Sequence, residues 1–67
     1  MNSNLLRSIM VLNGDTNAIL AKFLGISEGS LSNKINERGT EFKQSEIARI
    51  QERYSLTNEQ VISIFFS

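Results

Sequence analysis

The segment TNAILAKFLGISEGSLSNKIN, residues 16–36, decides the fold that the sequence predicts. It indicates a helix, a glycine turn and a second helix. The first helix, Asn17–Leu24, is apolar on almost every side, so we expect neighbouring helices to cover it on several sides. Gly25 ends it, because the residue just past a helix end often adopts a left-handed conformation that glycine tolerates best. Ser27 is a favoured N-cap for the second helix, predicted over residues 28–36.

The predicted second helix has an apolar face and a polar face. Leu31 and Ile35 share the apolar face, and the opposite face carries small or hydrogen-bonding residues: Gly29, Ser32, Asn33 and Asn36. Such a face lets a backbone approach another molecule closely, and it offers donors and acceptors to base edges in a DNA major groove. The alternative interpretation is a solvent-exposed face that is merely poor in charge.

The spacing of five residues carries a resemblance to a known family: Ala21, Gly25, Ile26, Ser27 and Leu31. This order resembles the helix-turn-helix of the lambdoid phage Cro and repressor family. The resemblance continues through SEGSLSNKIN, the charged loop after it and QSEIARI, so it covers most of the chain. The resemblance implies a lambda-repressor-like all-α fold. It also implies a Cro-like phage or prophage transcriptional repressor that binds a two-fold double-stranded DNA operator. Two residues depart from the family pattern, where an apolar residue and a Ser or Thr cap are common: Lys34 and Lys43.

The polar face and the resemblance together give the predicted DNA contacts. Base readout is predicted for Glu28, Gly29, Ser32 and Asn33. Glu28 has an alternative role, in which it stabilises the helix N-terminus and repels phosphates. Phosphate contacts are predicted for Asn17, Ser27, Lys34, Asn36, Arg38 and Lys43. For Asn17 the alternative is a plain first-turn polar residue, and for the loop cations it is solvation without a partner.

Length and composition limit the other possibilities. Sixty-seven residues predict one domain with a small core. The absence of Cys and His removes disulfides, the usual zinc ligands and the usual base of a nucleophilic enzyme, so we expect no catalysis, metal, cofactor or small-molecule substrate. Seven basic and seven acidic residues balance, although nucleic-acid binders are commonly basic. Discrimination between DNA sequences would therefore depend on base contacts and on dimer symmetry.

Three further helices are predicted around the central segment: Ser3–Leu12, Gln44–Tyr54 and Asn58–Phe65. The first would bury Leu5, Leu6, Ile9 and Leu12, and Thr57 to Gln60 has the form of a capping box for the last. A loop with Gly39 at its bend precedes Phe42, which we expect to anchor it in the core. The prediction is a compact all-α bundle of five short helices, without strands.

The last helix predicts an association surface. Val61, Ile64 and Phe65 complete the core, which leaves Ile62 and Phe66 together on another face. We expect a weak homodimer, formed on the DNA itself if this patch is small. The alternative is that both side chains fold under the first helix against Leu6 or Met10.

A second function stays open at this point. A neutral helix-turn-helix scaffold could be an interaction module that binds a protein, for example a repressor, instead of DNA. The polar face lacks the Tyr, Trp, Met and Arg residues that are enriched at the centres of protein interfaces, which favours DNA. No apolar run approaches the about 20 residues of a membrane span and no signal peptide is visible, so we expect no membrane association and a cytoplasmic location. The resemblance to phage regulators implies that this cytoplasm is that of a bacterial host, with the protein at the nucleoid.

Overall fold

The computed structural model describes all 67 residues, which form five α helices and no strand. The all-α class and the five predicted helices are confirmed. The second helix of the 16–36 segment, predicted over residues 28–36, ends one residue earlier, with Asn36 as its C-cap. In chain order the helices are α1 (Ser3–Leu12), α2 (Asn17–Leu24), α3 (Glu28–Ile35), α4 (Gln44–Tyr54) and α5 (Asn58–Phe65).

Short polar side chains start four of the five helices. Thr16 accepts a hydrogen bond from the backbone N–H of Ile19, and Ser27 accepts one from Ser30 at 3.0 Å. Asn2 caps α1 in the same way, and Thr57 and Gln60 form the predicted capping box of α5. These bonds satisfy backbone donors that a helix leaves free in its first turn.

The core lies where all five helices meet. Its buried apolar residues are Leu6, Met10, Leu20, Ala21, Leu24, Leu31, Ile35, Ile50, Leu56, Val61 and Ile64. Phe42 packs on this core as predicted, with its ring edge-on to Phe65 at 5.4 Å between centroids.

Two expectations about burial are wrong. Leu12 is 85% exposed, because the inward stripe of α1 runs through Leu6 and Met10, one turn apart, and Leu12 projects from the other side. The α2 helix is also less covered than its composition suggests, since Ala18 is exposed and Ile19 is 43% exposed. The bundle is too small to surround any helix completely.

Gly25 makes the turn between α2 and α3. Its φ is +74°, in the left-handed region, and the N–H of Ile26 donates to the carbonyl of Ala21 at 3.0 Å. A Cβ at this position would meet no atom within 4 Å. Packing therefore adds nothing to the glycine requirement, which comes from the backbone conformation alone.

We expect Gly25→Ala to lower the free energy of unfolding by about 1 to 2 kcal/mol, the cost of a left-handed conformation for a residue with a Cβ. Urea unfolding followed by circular dichroism measures it. The matched control is Gly29→Ala, which places the same methyl group at a helical glycine and is expected to stabilise. Equal unfolding midpoints for the two variants would contradict the role of the turn.

Candidate nucleic-acid interface

The outer side of α3 is small and polar, as the sequence predicts. Glu28, Gly29 and Asn33 are exposed and Ser32 is half-buried, and these four residues are called the α3 polar face below. On the opposite side Leu31 is completely buried. The structure thus brings the four predicted base-contacting residues together on one accessible surface.

Gly29 is not explained by the fold. Its φ is not positive, and a Cβ built on it would meet no atom within 4 Å. A glycine in the middle of a helix costs about 0.5 to 1 kcal/mol relative to alanine, which is the upper limit for Gly29, the second residue of α3. Gly29 thus lies at an open position of the α3 polar face, where the missing methyl group makes room for a bound molecule and not for another part of the protein.

Lys34 is not a phosphate contact, contrary to the prediction. It is 5% exposed, and its Nζ donates to both carboxylate oxygens of Glu46, at 2.6 and 2.8 Å. The sequence held a signal for this burial, because Lys34 follows Leu31 by three residues and therefore lies on the inward face of α3.

Glu46 is the buried centre of the contact between α3 and α4. Besides Lys34, its carboxylate accepts a hydrogen bond from the backbone N–H of Lys43 at 2.8 Å, which caps the start of α4. Burial raises the pKa of Glu46, but the hydrogen bonds from Lys34 and Lys43 outweigh that effect and leave the pKa below its usual value. At neutral pH the Glu46 carboxylate is therefore ionised, and its bonds with Lys34 fix α3 against α4.

Asn36 links α3 to α1. Its Oδ1 accepts from the guanidinium of Arg7 at 2.6 Å, and its Nδ2 donates to the carbonyl oxygen of Ser32 at 2.9 Å. The predicted phosphate contact at Asn36 is not supported by this geometry, because both ends of the amide are engaged within the protein. Arg7, which sequence reasoning did not select, is the residue held next to the α3 polar face.

The other four predicted phosphate contacts are accessible. Asn17 is exposed in the first turn of α2, and Ser27 is exposed while its hydroxyl caps α3. Arg38 and Lys43 flank the loop between α3 and α4, are exposed, and have no carboxylate partner among the ion pairs. Their contacts with DNA stay predictions.

Asp15 joins the start of α2 to the end of α4. Its carboxylate accepts from Arg53 Nε at 2.7 Å and from the Tyr54 hydroxyl at 2.6 Å. The hydrogen bond from Arg53, followed by that from Tyr54, holds the pKa of Asp15 below its usual value against the opposing effect of burial. The guanidinium groups of Arg49 and Arg53 each lie 4.6 Å from the ring centroid of Phe23. The Asp15 bonds therefore hold the start of α2, which carries Asn17, to the end of α4, and the two arginines cover Phe23 in the last turn of α2.

An apolar pair remains uncovered on α5. Ile62 is 58% exposed and Phe66 is 65% exposed, and the two are called the α5 patch. Val61 and Ile64 are buried, as predicted. The alternative in which the α5 patch folds under α1 is wrong.

Comparison with protein-family models, curated proteins and solved structures gives no match for this chain. No helix is both long and apolar enough to cross a bilayer. No three residues of the His, Cys, Asp and Glu types come together in a group that could hold a metal ion.

Proposed function

We propose that this protein is a sequence-specific double-stranded DNA-binding regulator, a Cro-like repressor in which α2 and α3 form a helix-turn-helix of the lambda-repressor type. In this proposal α3 enters the major groove and the α3 polar face contacts base edges. The observation that carries it is Gly29, an exposed helical glycine that the fold does not need, on a face of short hydrogen-bonding side chains. Such a face suits a molecule that must come close to the helix backbone.

The way α3 is held also supports the proposal. The Lys34–Glu46 ion pair fixes the helix to α4, and the bond from Arg7 to Asn36 fixes its end to α1. A recognition helix needs such support, because base contacts depend on side chains that are placed before binding. All of these anchors lie outside the α3 polar face.

Charge sets an expectation about affinity. The formal net charge is zero, so phosphate-driven binding to random DNA is weak. Two copies on one operator would then supply the affinity that a single copy lacks. The α5 patch is the proposed contact between them, with half-sites about 34 Å apart, one helical turn of DNA.

Selection from a library of randomised duplexes, followed by sequencing, tests the proposal. We expect enrichment of a short motif, repeated with two-fold symmetry at a spacing of about 10 base pairs. Fluorescence anisotropy on the enriched duplex and on a scrambled duplex then measures the specificity ratio. A library without enrichment after repeated rounds would reject DNA recognition.

The α3 polar face gives a sharper prediction. We expect Gly29→Ala to stabilise the fold by up to about 1 kcal/mol, the value for a helix interior, and to weaken binding to the enriched duplex, because the new methyl group occupies space next to the bases. Asn33→Ala should reduce discrimination between the two duplexes by about 1 to 3 kcal/mol if its contact is bidentate. Thermal unfolding and anisotropy measure the two effects separately.

The matched control for these variants is Ser63→Ala, an exposed position on α5. It should change neither stability nor discrimination. If Gly29→Ala binds as tightly as the parent protein, the glycine has no role in close approach. If Asn33→Ala loses the same affinity for both duplexes, Asn33 does not contact a base edge.

A protein-interaction module is the second candidate, and one observation favours it. Val11 and Leu12, next to each other at the end of α1, are 75% and 85% exposed. Adjacent exposed apolar side chains are a common component of protein interfaces. They are not part of the α3 polar face, so this function predicts a partner that binds α1 and is unaffected by Gly29→Ala.

A further inference from the structure

Arg7 differs from the other anchored cations of the protein. Lys34 and Arg53 each bind a carboxylate, Glu46 and Asp15. Arg7 is exposed and binds only neutral amide oxygens, those of Asn36 at 2.6 Å and Asn4 at 3.4 Å. Its guanidinium is therefore oriented by the fold while its charge remains uncompensated.

The surroundings of Arg7 connect it to the proposed interface on two sides. Through Asn36 it is linked to Ser32 of the α3 polar face. It also lines a surface groove with Asn17, a predicted phosphate contact, and the groove includes Thr16, Met10, Val11 and Asp15. The Asp15 carboxylate is already bound by Arg53 and Tyr54. Arg7 thus supplies the one uncompensated charge of the groove.

We propose that Arg7 binds a DNA backbone phosphate at the edge of the site contacted by α3, and that Asn36 is the residue that positions it. This inference rests on the proposed function. A guanidinium presents five N–H donors in a planar fork and pairs with phosphate oxygens through two parallel hydrogen bonds. The bonds to Asn36 and Asn4 occupy one Nη2 donor and one Nη1 donor, and three of the five donors stay free for the phosphate. Phosphate contacts of this kind set the register of a recognition helix on the duplex.

Salt titrations of binding to the enriched duplex test the role of Arg7. We expect Arg7→Gln to reduce the slope of log K against log salt by about 0.9, the value for one phosphate, and to weaken binding to all duplexes alike. The control is Lys22→Gln, which removes an exposed unpaired cation from the last turn of α2. It should leave the slope unchanged. Arg7→Lys keeps the charge and should restore the slope but not the full affinity, because the ammonium lacks the fork.

Asn36→Ala distinguishes positioning from a structural role. We expect it to weaken binding while retaining part of the salt slope, and to have no further effect when combined with Arg7→Gln, because both act on one contact. Independent, additive losses would overturn the positioning role. A slope for Arg7→Gln equal to that of the parent protein would overturn the phosphate contact and leave the proposed function standing. If the parent protein binds no duplex, both proposals fail.

Discussion

Replacing Glu46 with glutamine is expected to lower the free energy of unfolding by about 3 kcal/mol or more, because removing one partner leaves the other charge buried and unpaired. The Lys34 ammonium would then lie in the core of the α3–α4 contact with no counter-charge, since both of its ionic bonds end on Glu46. The cap on the Lys43 N–H would be weakened as well. A domain of this size has a total stability of roughly 3 to 10 kcal/mol, so the variant is expected to unfold close to physiological temperature.

Urea unfolding of three proteins isolates the effect. Glu52→Gln makes the same chemical change at an exposed position of α4 and should shift the midpoint little. The double variant Lys34→Met, Glu46→Leu removes both charges and is expected to lose only the hydrogen bond from the Lys43 N–H, about 1 kcal/mol, because apolar groups of similar volume often replace a buried ion pair without loss. If Glu46→Gln is as stable as Glu52→Gln, the ion pair does not hold α3 in place.

The same carboxylate gives a pH dependence. The pKa of Glu46 is lower in the folded protein than its ordinary value of 4.5, so the unfolded chain binds the proton more tightly. The stabilisation is therefore fully present above about pH 4.5 and is lost as the pH falls through the folded-state pKa. Glu46→Gln should flatten the decline of unfolding midpoints on the acid side.

Placing aspartate at both positions of the α5 patch is expected to abolish cooperative DNA binding. Ile62 and Phe66 are more than half exposed, so Ile62→Asp, Phe66→Asp leaves the core intact and should keep the parent helicity. Two negative charges at a self-contact would repel each other across the two-fold axis. Linking two binding events commonly raises affinity by about 10² to 10⁴, so the loss on a two-half-site duplex should fall in that range. Binding to a single half-site should persist.

The matched control is Val11→Asp, Leu12→Asp, which places the same charges on the other exposed apolar pair. Because Val11 lines the groove of Arg7, this control should weaken binding to one and to two half-sites alike and leave the cooperativity unchanged. Gel-shift titrations on duplexes with one and two half-sites compare the variants directly. If the α5 variant still binds cooperatively and the α1 variant does not, the dimer contact lies on α1. If the α5 variant unfolds, Ile62 and Phe66 belong to the core.

Local signals explain why the helices were predictable. Thr16, Ser27 and Thr57 each lie before a helix and accept from its first-turn backbone, and Gly25 has the left-handed conformation expected after α2. These effects depend on residues within four positions of one another, so they can be identified from the chain alone.

The errors concern side chains whose environment depends on distant residues. The sequence predicts a phosphate contact for Lys34 because its partner Glu46 lies 12 residues away, on the next helix. In the same way, the bond between Arg7 and Asn36 joins residues 29 positions apart. A charged residue can be predicted to be exposed only if the fold places no residue of opposite charge next to it. The prediction that Leu12 is buried is wrong for another reason. The inward face of a short helix holds few side chains, and on α1 the last of these is Met10.

The Lys34–Glu46 pair has a consequence for how this protein can evolve. A buried ion pair penalises any rotation of α3, since turning the helix would separate the charges inside the core. The orientation of α3 is thus fixed by residues outside the α3 polar face, and the exposed residues at positions 28, 29 and 33 take no part in these anchors. Under the proposed function, substitutions at these three positions would alter what the protein recognises without altering the scaffold, which makes the helix a suitable starting point for engineered specificity.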